Sequence, residues 1–171
     1  LMPGMRRVGE RFGCGEAFIP DLMIAAKAMN SATQLLRPHF ESGEAPQKGT
    51  FVIGTVAGDL HDIGKNIVKM ILQGAGWKVV DLGNDVSTEK FLEAAAKYPG
   101  SPVGLSALLT TTMTNMENTV REIKERYPET LIVIGGAPVT ESFRLRIGAD
   151  AFFQSPHNLP DYLDKTMGTG S

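Results

Sequence analysis

From residue 50 onward, the chain alternates short apolar runs with amphipathic helical patterns, and this alternation limits the fold more than any other feature. The apolar runs predict five strands, at 51–56, 78–82, 103–108, 131–134 and 151–153. Helical patterns follow each run, at about 63–75, 87–97, 113–127, 139–148 and 158–167. Such βαβ units form a parallel sheet. We therefore expect an α/β fold with a flavodoxin-like (Rossmann-like) five-stranded parallel sheet in the order 2-1-3-4-5.

Residues 1–43 follow a different pattern, without a convincing strand. The segment "MRRVGERFGCGEAF" predicts a short helix that ends near 13–15, and "DLMIAAKAMNSATQLL" predicts a second helix with Pro20 in its first turn. Two helices alone bury too little surface to be stable, so this region must pack on something else. Residues 44–49 have the composition of a linker, which leaves 50–167 as the second domain.

Composition excludes several classes of protein. The formal net charge is −2 and no long basic run occurs, so neither nucleic acid nor a membrane surface is an expected partner. No uninterrupted apolar stretch is long enough to span a bilayer. The single cysteine, Cys14, cannot form an internal disulfide, which fits a reducing compartment. We therefore expect a cytoplasmic protein.

The stretch "GDLHDIGKNIV" at 58–68 follows the first predicted strand, at the sheet edge where this fold binds ligands. It is not a phosphate-binding P-loop, because Gly58 and Gly64 have the wrong spacing and Lys65 is followed by Asn66 instead of Ser or Thr. Its two aspartates would also repel a polyphosphate. A receiver domain is excluded as well, since it needs an aspartate after strand 3 and a lysine after strand 5, and this chain has neither.

A lone histidine is usually structural or solvated, but His61 has features that point to a ligand role. Asp59, two residues before it, could accept a ring N–H and fix the tautomer, as carboxylates do behind metal-bound histidines. Gly58 and Gly64 remove side-chain bulk on both sides. A small-metal site would need further ligands. The remaining His and Cys residues lie elsewhere in the sequence, at Cys14, His39 and His157. One imidazole backed by a carboxylate suits a metal whose other ligands come from a macrocycle.

These residues carry a resemblance to a known family. "GDLHDIGKNIV" resembles the D-x-H-x-x-G motif of cobalamin-binding proteins, and "DLG" at 81–83, "GLSALLTTT" at 104–112 and "IGGAP" at 134–138 stand where such domains place other cofactor contacts. The resemblance covers residues 50 to about 160. The segment "VGERFGCGEAFIPDLMIAAKAM" is similar to the helical cap of methionine synthase and of corrinoid methyl-carrier proteins. Residues 1–43 would then be a truncated four-helix bundle.

The resemblance implies roles for individual residues, none of them catalytic on its own. The corrinoid would bind base-off, with His61 as the lower axial ligand to cobalt, supported by Asp59 and by the hydroxyl of Thr112. The resemblance also implies cofactor contacts from the rest of the motif and from a slot for the displaced nucleotide tail: Asp62, Ile63, Gly64, Ser106, Leu108, Thr110, Gly135, Gly136 and Ala137. It places three apolar residues over the upper face of the cofactor, although their spacing alone indicates helix core: Phe12, Ile19 and Leu22.

The family function implied is that of a corrinoid methyl carrier, with cobalamin or a related corrinoid alternating between methylcobalamin and cob(I)alamin. Its implied partners are a substrate-specific methyltransferase, an acceptor methyltransferase acting on tetrahydrofolate or coenzyme M, and a reductive activating protein. An incomplete cap would expose apolar helix faces able to pair in a homodimer. Two alternatives stay open: a light-sensing transcription regulator that uses the same pair of domains, and the cobalamin domain of a carbon-skeleton mutase. Lys65 and Asn66 are expected to meet solvent or a corrin amide.

Overall fold

The computed structural model describes residues 2–40, 47–154 and 156–168, and its elements follow the alternation that the sequence predicts. The strands are β1 (Thr50–Thr55), β2 (Lys78–Asp81), β3 (Val103–Ser106), β4 (Ile132–Gly135) and β5 (Ala151–Phe152). The α-helices are α1 (Met2–Gly13), α2 (Ile19–Phe40), α3 (Ile63–Gly74), α4 (Thr88–Lys97), α5 (Met113–Arg126), α6 (Glu141–Ile147) and α7 (Leu159–Met167). Short 3₁₀ turns cover Thr110–Thr112 and Pro156–Asn158.

The sheet has the order β2-β1-β3-β4-β5, which confirms the predicted topology. The pairings of β1 with β3, β3 with β4 and β4 with β5 are parallel. In register, Thr55 lies opposite Ser106, and Ser106 lies opposite Gly135. Because parallel strands end at one edge, the segments that follow β1, β3 and β4 are brought together there.

The chain divides into two compact units, and the larger comprises residues 50–66 and 79–154. Its core is formed by β-branched and aliphatic side chains of the strands together with apolar faces of α4, α5 and α6. Phe91 of α4 and Met116, Val120 and Ile123 of α5 are fully or almost fully buried in this cluster. The strands β1, β3 and β4 read as continuous apolar runs because they are buried along most of their length, as parallel strands usually are.

The smaller unit comprises the described residues within 1–49, 67–78 and 155–171. Its apolar cluster joins α2 to the later part of α3 through Leu22, Ala26 and Met29 on one side and Ile67 and Ile71 on the other. This is the packing partner that two isolated helices require.

Part of the predicted linker at 44–49 is fixed by contacts, because Lys48 pairs with Asp164, which also accepts a hydrogen bond from the Trp77 ring at 3.1 Å. The rest of that linker, 44–46, lies outside the described residues. None of the described helices combines the length and apolar character that crossing a membrane requires.

Candidate corrinoid-binding site

The site is built around a loop, residues 57–62, that connects β1 to α3; we refer to it as the His61 loop. Gly58 has a φ of +80°, a conformation that glycine adopts without strain. The turn brings the side chain of Asp59 inward, where it is fully buried, while the His61 ring remains 53% exposed. The sequence thus places a buried carboxylate directly behind a half-exposed imidazole, as predicted.

The Asp59 carboxylate receives hydrogen bonds from three segments of the chain. Its Oδ1 accepts from the His61 backbone amide at 3.0 Å and contacts the His61 ring Nδ1 at 2.8 Å. Its Oδ2 accepts from the amides of Leu108 and Leu109 at 2.7 and 3.2 Å, and lies 2.9 Å from the Thr112 hydroxyl. Burial raises the pKa of the Asp59 carboxyl, but these hydrogen bonds, led by that of the Leu108 amide, outweigh burial and leave the pKa far below its ordinary value.

An ionised Asp59 fixes the tautomer of His61. A carboxylate only accepts hydrogen bonds, so the ring atom Nδ1 must carry the hydrogen that points toward Asp59. In the neutral ring, Nε2 then carries the lone pair that can coordinate a metal. The third member of the predicted relay, Thr112, is buried, and its Oγ1 also lies 2.8 Å from the Leu109 carbonyl oxygen. Its single hydrogen can be donated to only one of the two oxygens at a time.

The predicted tail-slot residues occupy the neighbouring strand ends. Ser106 ends β3 and lies opposite Gly135, which ends β4. Gly136 has a φ of +136°, and a Cβ there would lie 1.8 Å from the Ala107 carbonyl oxygen, so no other residue fits. Leu108, Thr110 and Ala137 are exposed beside them. The structure therefore brings β3 and β4 residues of the predicted set to one edge.

The three residues predicted over the upper face belong to the smaller unit. Leu22 is completely buried in the apolar cluster of α2 and α3, and Phe12 packs against the same cluster. Ile19, at the start of α2, is 39% exposed. Within this unit, Leu22 is a core residue, and Ile19 is the one of the three with substantial exposed surface.

Some contributors to the site carry no sequence signal, and one expectation was wrong. The Leu108 and Leu109 donors are backbone amides, which any residue type would supply. The Asn115 side chain donates to the Ala57 carbonyl at 2.7 Å and supports the His61 loop from α5.

Lys65 does not meet solvent, because it is only 3% exposed and pairs with Asp81 at 2.7 Å. The spacing of Lys65 and Asp81 in the sequence could not reveal this pair.

The residues present fit a corrinoid. Four exposed apolar side chains belong to residues near His61 in the sequence or to residues whose amides bind Asp59: Leu60, Ile63, Leu108 and Leu109. Among the described residues, no group of three or more His, Cys, Asp or Glu side chains is arranged to hold a metal ion. A corrin ring brings metal ligands of its own, so it would need no such group of protein side chains beside His61. Asn84 Oδ1 is buried and has no hydrogen-bond partner in the described part of the chain.

Comparisons with known proteins agree with this geometry. Two family models, both described as B12 binding domain, match residues 49–159 and 1–37. The trimethylamine corrinoid protein of Methanosarcina barkeri is 43% identical over 159 residues, covering 91% of this chain and 73% of the relative. Dimethylamine corrinoid protein 3 of Methanosarcina acetivorans is 39% identical over 157 residues, covering 91% of this chain and 74% of the relative.

Solved structures show the same likeness. A cobalamin-binding protein from Desulfitobacterium hafniense superposes with a TM-score of 0.81 at 35% identity, over 96% of this chain and 78% of that one. The methanol:cobalamin methyltransferase complex MtaBC of Methanosarcina barkeri gives a TM-score of 0.86 at 32% identity, over 99% of this chain and 65% of that one. At these identities the likeness extends beyond the shape of the fold.

Proposed function

This chain belongs to the B12-binding domain family and binds cobalamin or a related corrinoid, and from that premise we propose that it is the methyl-carrying corrinoid protein of a methyltransferase system. The observation that carries the proposal is the Asp59–His61 contact of 2.8 Å at a half-exposed imidazole. The light-sensing and mutase alternatives gain no support from the relatives, whose names refer to methylamine corrinoid proteins.

In this proposal His61 Nε2 coordinates cobalt from below, and the displaced nucleotide tail occupies the slot at Ser106, Leu108, Thr110, Gly135, Gly136 and Ala137. When bound, the corrinoid supplies a cobalt centre that can take up and release a methyl group. Asp59 orients the imidazole and, because it stays ionised, stabilises positive charge on that ring.

Of the residues proposed as further cofactor contacts, Asp62 directly precedes α3, and Ile63 and Gly64 lie in its first turn. A side chain at Gly64 would meet no other atom within 4 Å, so the surface there is open for a large ring. Phe12 and Ile19 are retained as proposed upper-face residues, with Leu22 holding their helices together. We retain 1–43, 44–49 and 50–167 as the proposed cap, linker and cofactor domain.

The proposed partners follow from the proteins that the chain is similar to. A substrate-specific methyltransferase is the first, because one structural neighbour is a methanol:cobalamin methyltransferase complex. The methylamine names of the relatives favour a methylamine as the methyl donor. An acceptor methyltransferase acting on tetrahydrofolate or coenzyme M, a reductive activating protein, pairing as a homodimer and a cytoplasmic location complete the proposal.

The test is the ligand field of the loaded protein. Purified protein is reconstituted with hydroxocobalamin, reduced to the Co(II) state and examined by electron paramagnetic resonance, with histidine labelled with heavy nitrogen. Labelling should change the splitting from the axial nitrogen, because that nitrogen comes from His61. His61→Ala should abolish the label-dependent change, whereas the matched variant His157→Ala should keep it. If labelling the histidines leaves the splitting of the wild-type protein unchanged, the nucleotide base, and not His61, is the lower ligand.

A further inference from the structure

The loop between β2 and α4 contains a residue in an unfavourable backbone conformation. Asp85 has a φ of +52°, and among the described residues it is the only non-glycine with a positive φ. L-residues avoid this region because Cβ approaches the carbonyl oxygen, although Asp and Asn tolerate it better than most. We refer to residues 83–85, Gly-Asn-Asp, as the GND loop. The hydrogen bonds of the GND loop to the His61 loop explain why this conformation is kept.

The GND loop holds three consecutive residues of the His61 loop. The Gly58 amide donates to Asp85 Oδ1 at 2.7 Å, and the Asp85 amide donates to the Asp59 carbonyl oxygen at 3.0 Å. The Asn84 side-chain amide donates to the Leu60 carbonyl oxygen at 3.2 Å. The backbone immediately before His61 is thus hydrogen-bonded residue by residue to one short segment.

A second anchor lies on the other side of His61. Lys65, in the first turn of α3, is 3% exposed, and its Nζ lies 2.7 Å from Asp81 Oδ1 at the end of β2. The same Asp81 oxygen accepts from the Gly83 amide at 3.0 Å, at the start of the GND loop. The segment that carries Asp59 and His61 is therefore tied to the β2–α4 connection at both ends.

The side chain of Asp85 acts on the residue with the greatest conformational freedom in that segment. Gly58 can adopt a wide range of φ and ψ, so its observed φ of +80° must be fixed by contacts. A Cβ at Gly58 would meet its nearest atoms, in Asn115 and Thr112, only at 3.6 Å, so packing does not fix it. The Asp59 amide closes this turn by donating to the Val56 carbonyl oxygen at 3.1 Å. The charged acceptor at Asp85 is aimed at the Gly58 amide in the same turn and stabilises the conformation that directs Asp59 inward.

We propose that Asp85 is a positioning residue, which holds the Gly58 turn so that the Asp59 carboxylate and the His61 ring are in ligating geometry before the corrinoid arrives. The inference rests on the proposed function, since it concerns the same axial ligand. A preorganised ligand loses less conformational freedom on binding, so Asp85 contributes to cofactor affinity without touching the cofactor. The side chain acts through the Gly58 amide and is not itself a ligand.

Three substitutions at this position separate the side-chain role from the backbone role. Asp85→Gly keeps the positive φ and the backbone amide contact with Asp59, but removes the acceptor for Gly58. Asp85→Asn keeps an Oδ1 acceptor and tolerates the conformation. Asp85→Ala loses the acceptor and also strains the backbone. Glu93→Gln removes one negative charge from the exposed face of α4 and serves as the charge-matched control.

Amide hydrogen exchange of residues 58–61 in the cofactor-free protein gives the first readout. Asp85→Gly should accelerate this exchange by about tenfold, the factor expected for one lost hydrogen bond to a charged acceptor. Asp85→Asn and Glu93→Gln should stay close to the wild-type rate. Exchange that is unchanged in Asp85→Gly would overturn the inference.

The second readout is titration with hydroxocobalamin, followed by the spectrum of imidazole-ligated cobalt. Asp85→Gly should need several-fold more cofactor to reach the same ligated fraction, and Asp85→Asn should restore most of the affinity. Faster exchange with unchanged affinity would make Asp85 a purely structural residue and overturn the inference. If the wild-type protein itself shows no imidazole ligation, both the proposed function and this inference are overturned. That failure is distinguishable, because it is seen in the protein without any substitution.

Discussion

The His61 loop and the α1–α2 region are stabilised by different kinds of contact. In the loop, hydrogen bonds at Gly58, Asp59, Leu60 and His61 fix the backbone one residue at a time, and the carboxylate at their centre is fully buried. In the α1–α2 region, Phe12 and Leu22 are held by apolar packing. Several other large apolar side chains there remain exposed: Phe18, Ile19, Met23 and Ile24.

This difference suits the two roles that we propose, a metal ligand at His61 and an apolar cover from the α1–α2 region. A metal ligand must present one atom at one angle, and directional hydrogen bonds to a buried acceptor provide that. An apolar cover needs only to exclude water, and non-directional packing is sufficient for it. Small chemical changes in the hydrogen-bonded His61 loop should therefore cause large losses of stability. In the α1–α2 region, the loss of stability should be proportional to the buried apolar area that a substitution removes.

The largest effect is expected at the two consecutive glycines, Gly135 and Gly136, at the end of β4. Gly136→Ala should destabilise the protein by about 4 kcal/mol, because the new Cβ meets the Ala107 carbonyl oxygen and the φ of +136° is strained for any L-residue. Gly135→Ala is the matched control: its Cβ meets Phe153 O only at 3.4 Å, so stability should change by about 0.5 kcal/mol or less. Urea denaturation of the cofactor-free protein measures both. Equal losses would show that close backbone approach at Gly136 is not what fixes this edge.

Asp59→Asn should lower the free energy of unfolding by about 3 kcal/mol. The reason is that an amide NH₂ replaces one acceptor oxygen and faces buried donors. Asp62→Asn, three residues along the same loop, should change stability by about 0.5 kcal/mol or less.

The Asp59 effect should also depend on pH. The pKa of Asp59 is lowered in the folded state, so its stabilisation is present above the ordinary carboxylate pKa of about 4 and is lost as the pH falls further. The difference in free energy of unfolding between the wild-type protein and Asp59→Asn should therefore become smaller below about pH 4. A difference that grows in acid would contradict the ionised state of Asp59.

In the helical region, Leu22→Ala should cost about 2.5 kcal/mol, since Leu22 is completely buried and the substitution leaves a cavity. Ile19→Ala, at a position that is 39% exposed, should cost about 1 kcal/mol. Thermal and urea unfolding of both variants gives the comparison. A larger loss at Ile19 than at Leu22 would mean that buried area does not govern this region.

The smallest effects are expected at Thr112. Thr112→Val removes the hydroxyl that contacts Asp59 at 2.9 Å and should cost about 1 kcal/mol. Thr112→Ser keeps the hydroxyl and removes one buried methyl group, so it should lower the free energy of unfolding by about 0.8 kcal/mol, less than Thr112→Val. If both variants lose the same stability, the methyl group and not the hydroxyl is what Thr112 contributes.

The fold was predictable because its information is periodic. The five apolar runs gave strands within one or two residues of those observed, and the order 2-1-3-4-5 follows from the alternation with helices. The Asp59–His61 pair was predictable because the two residues are neighbours in the chain. The Thr112 contact spans 53 positions, and the resemblance to a family, not the spacing, indicated it.

The remaining contacts could not be predicted, for physical reasons. The amides of Leu108 and Leu109 donate from the backbone, and the backbone is the same for every residue type but proline. Lys65 and Asp81 are ordinary surface residues by composition, and only the sheet topology brings them together. The positive φ of Asp85 has no sequence signature beyond a weak tolerance of aspartate for it.

The use of backbone donors at 108 and 109 has an evolutionary consequence. Because the amides anchor Asp59 while the leucine side chains are exposed, those two side chains can change without disturbing Asp59 or its contact with His61, the proposed axial ligand. Mutation can therefore introduce new contacts at the proposed cofactor face while the geometry of the Asp59–His61 pair is kept. Such separation of a constant anchor from a variable surface allows a lineage to diversify in the corrinoids that it accepts.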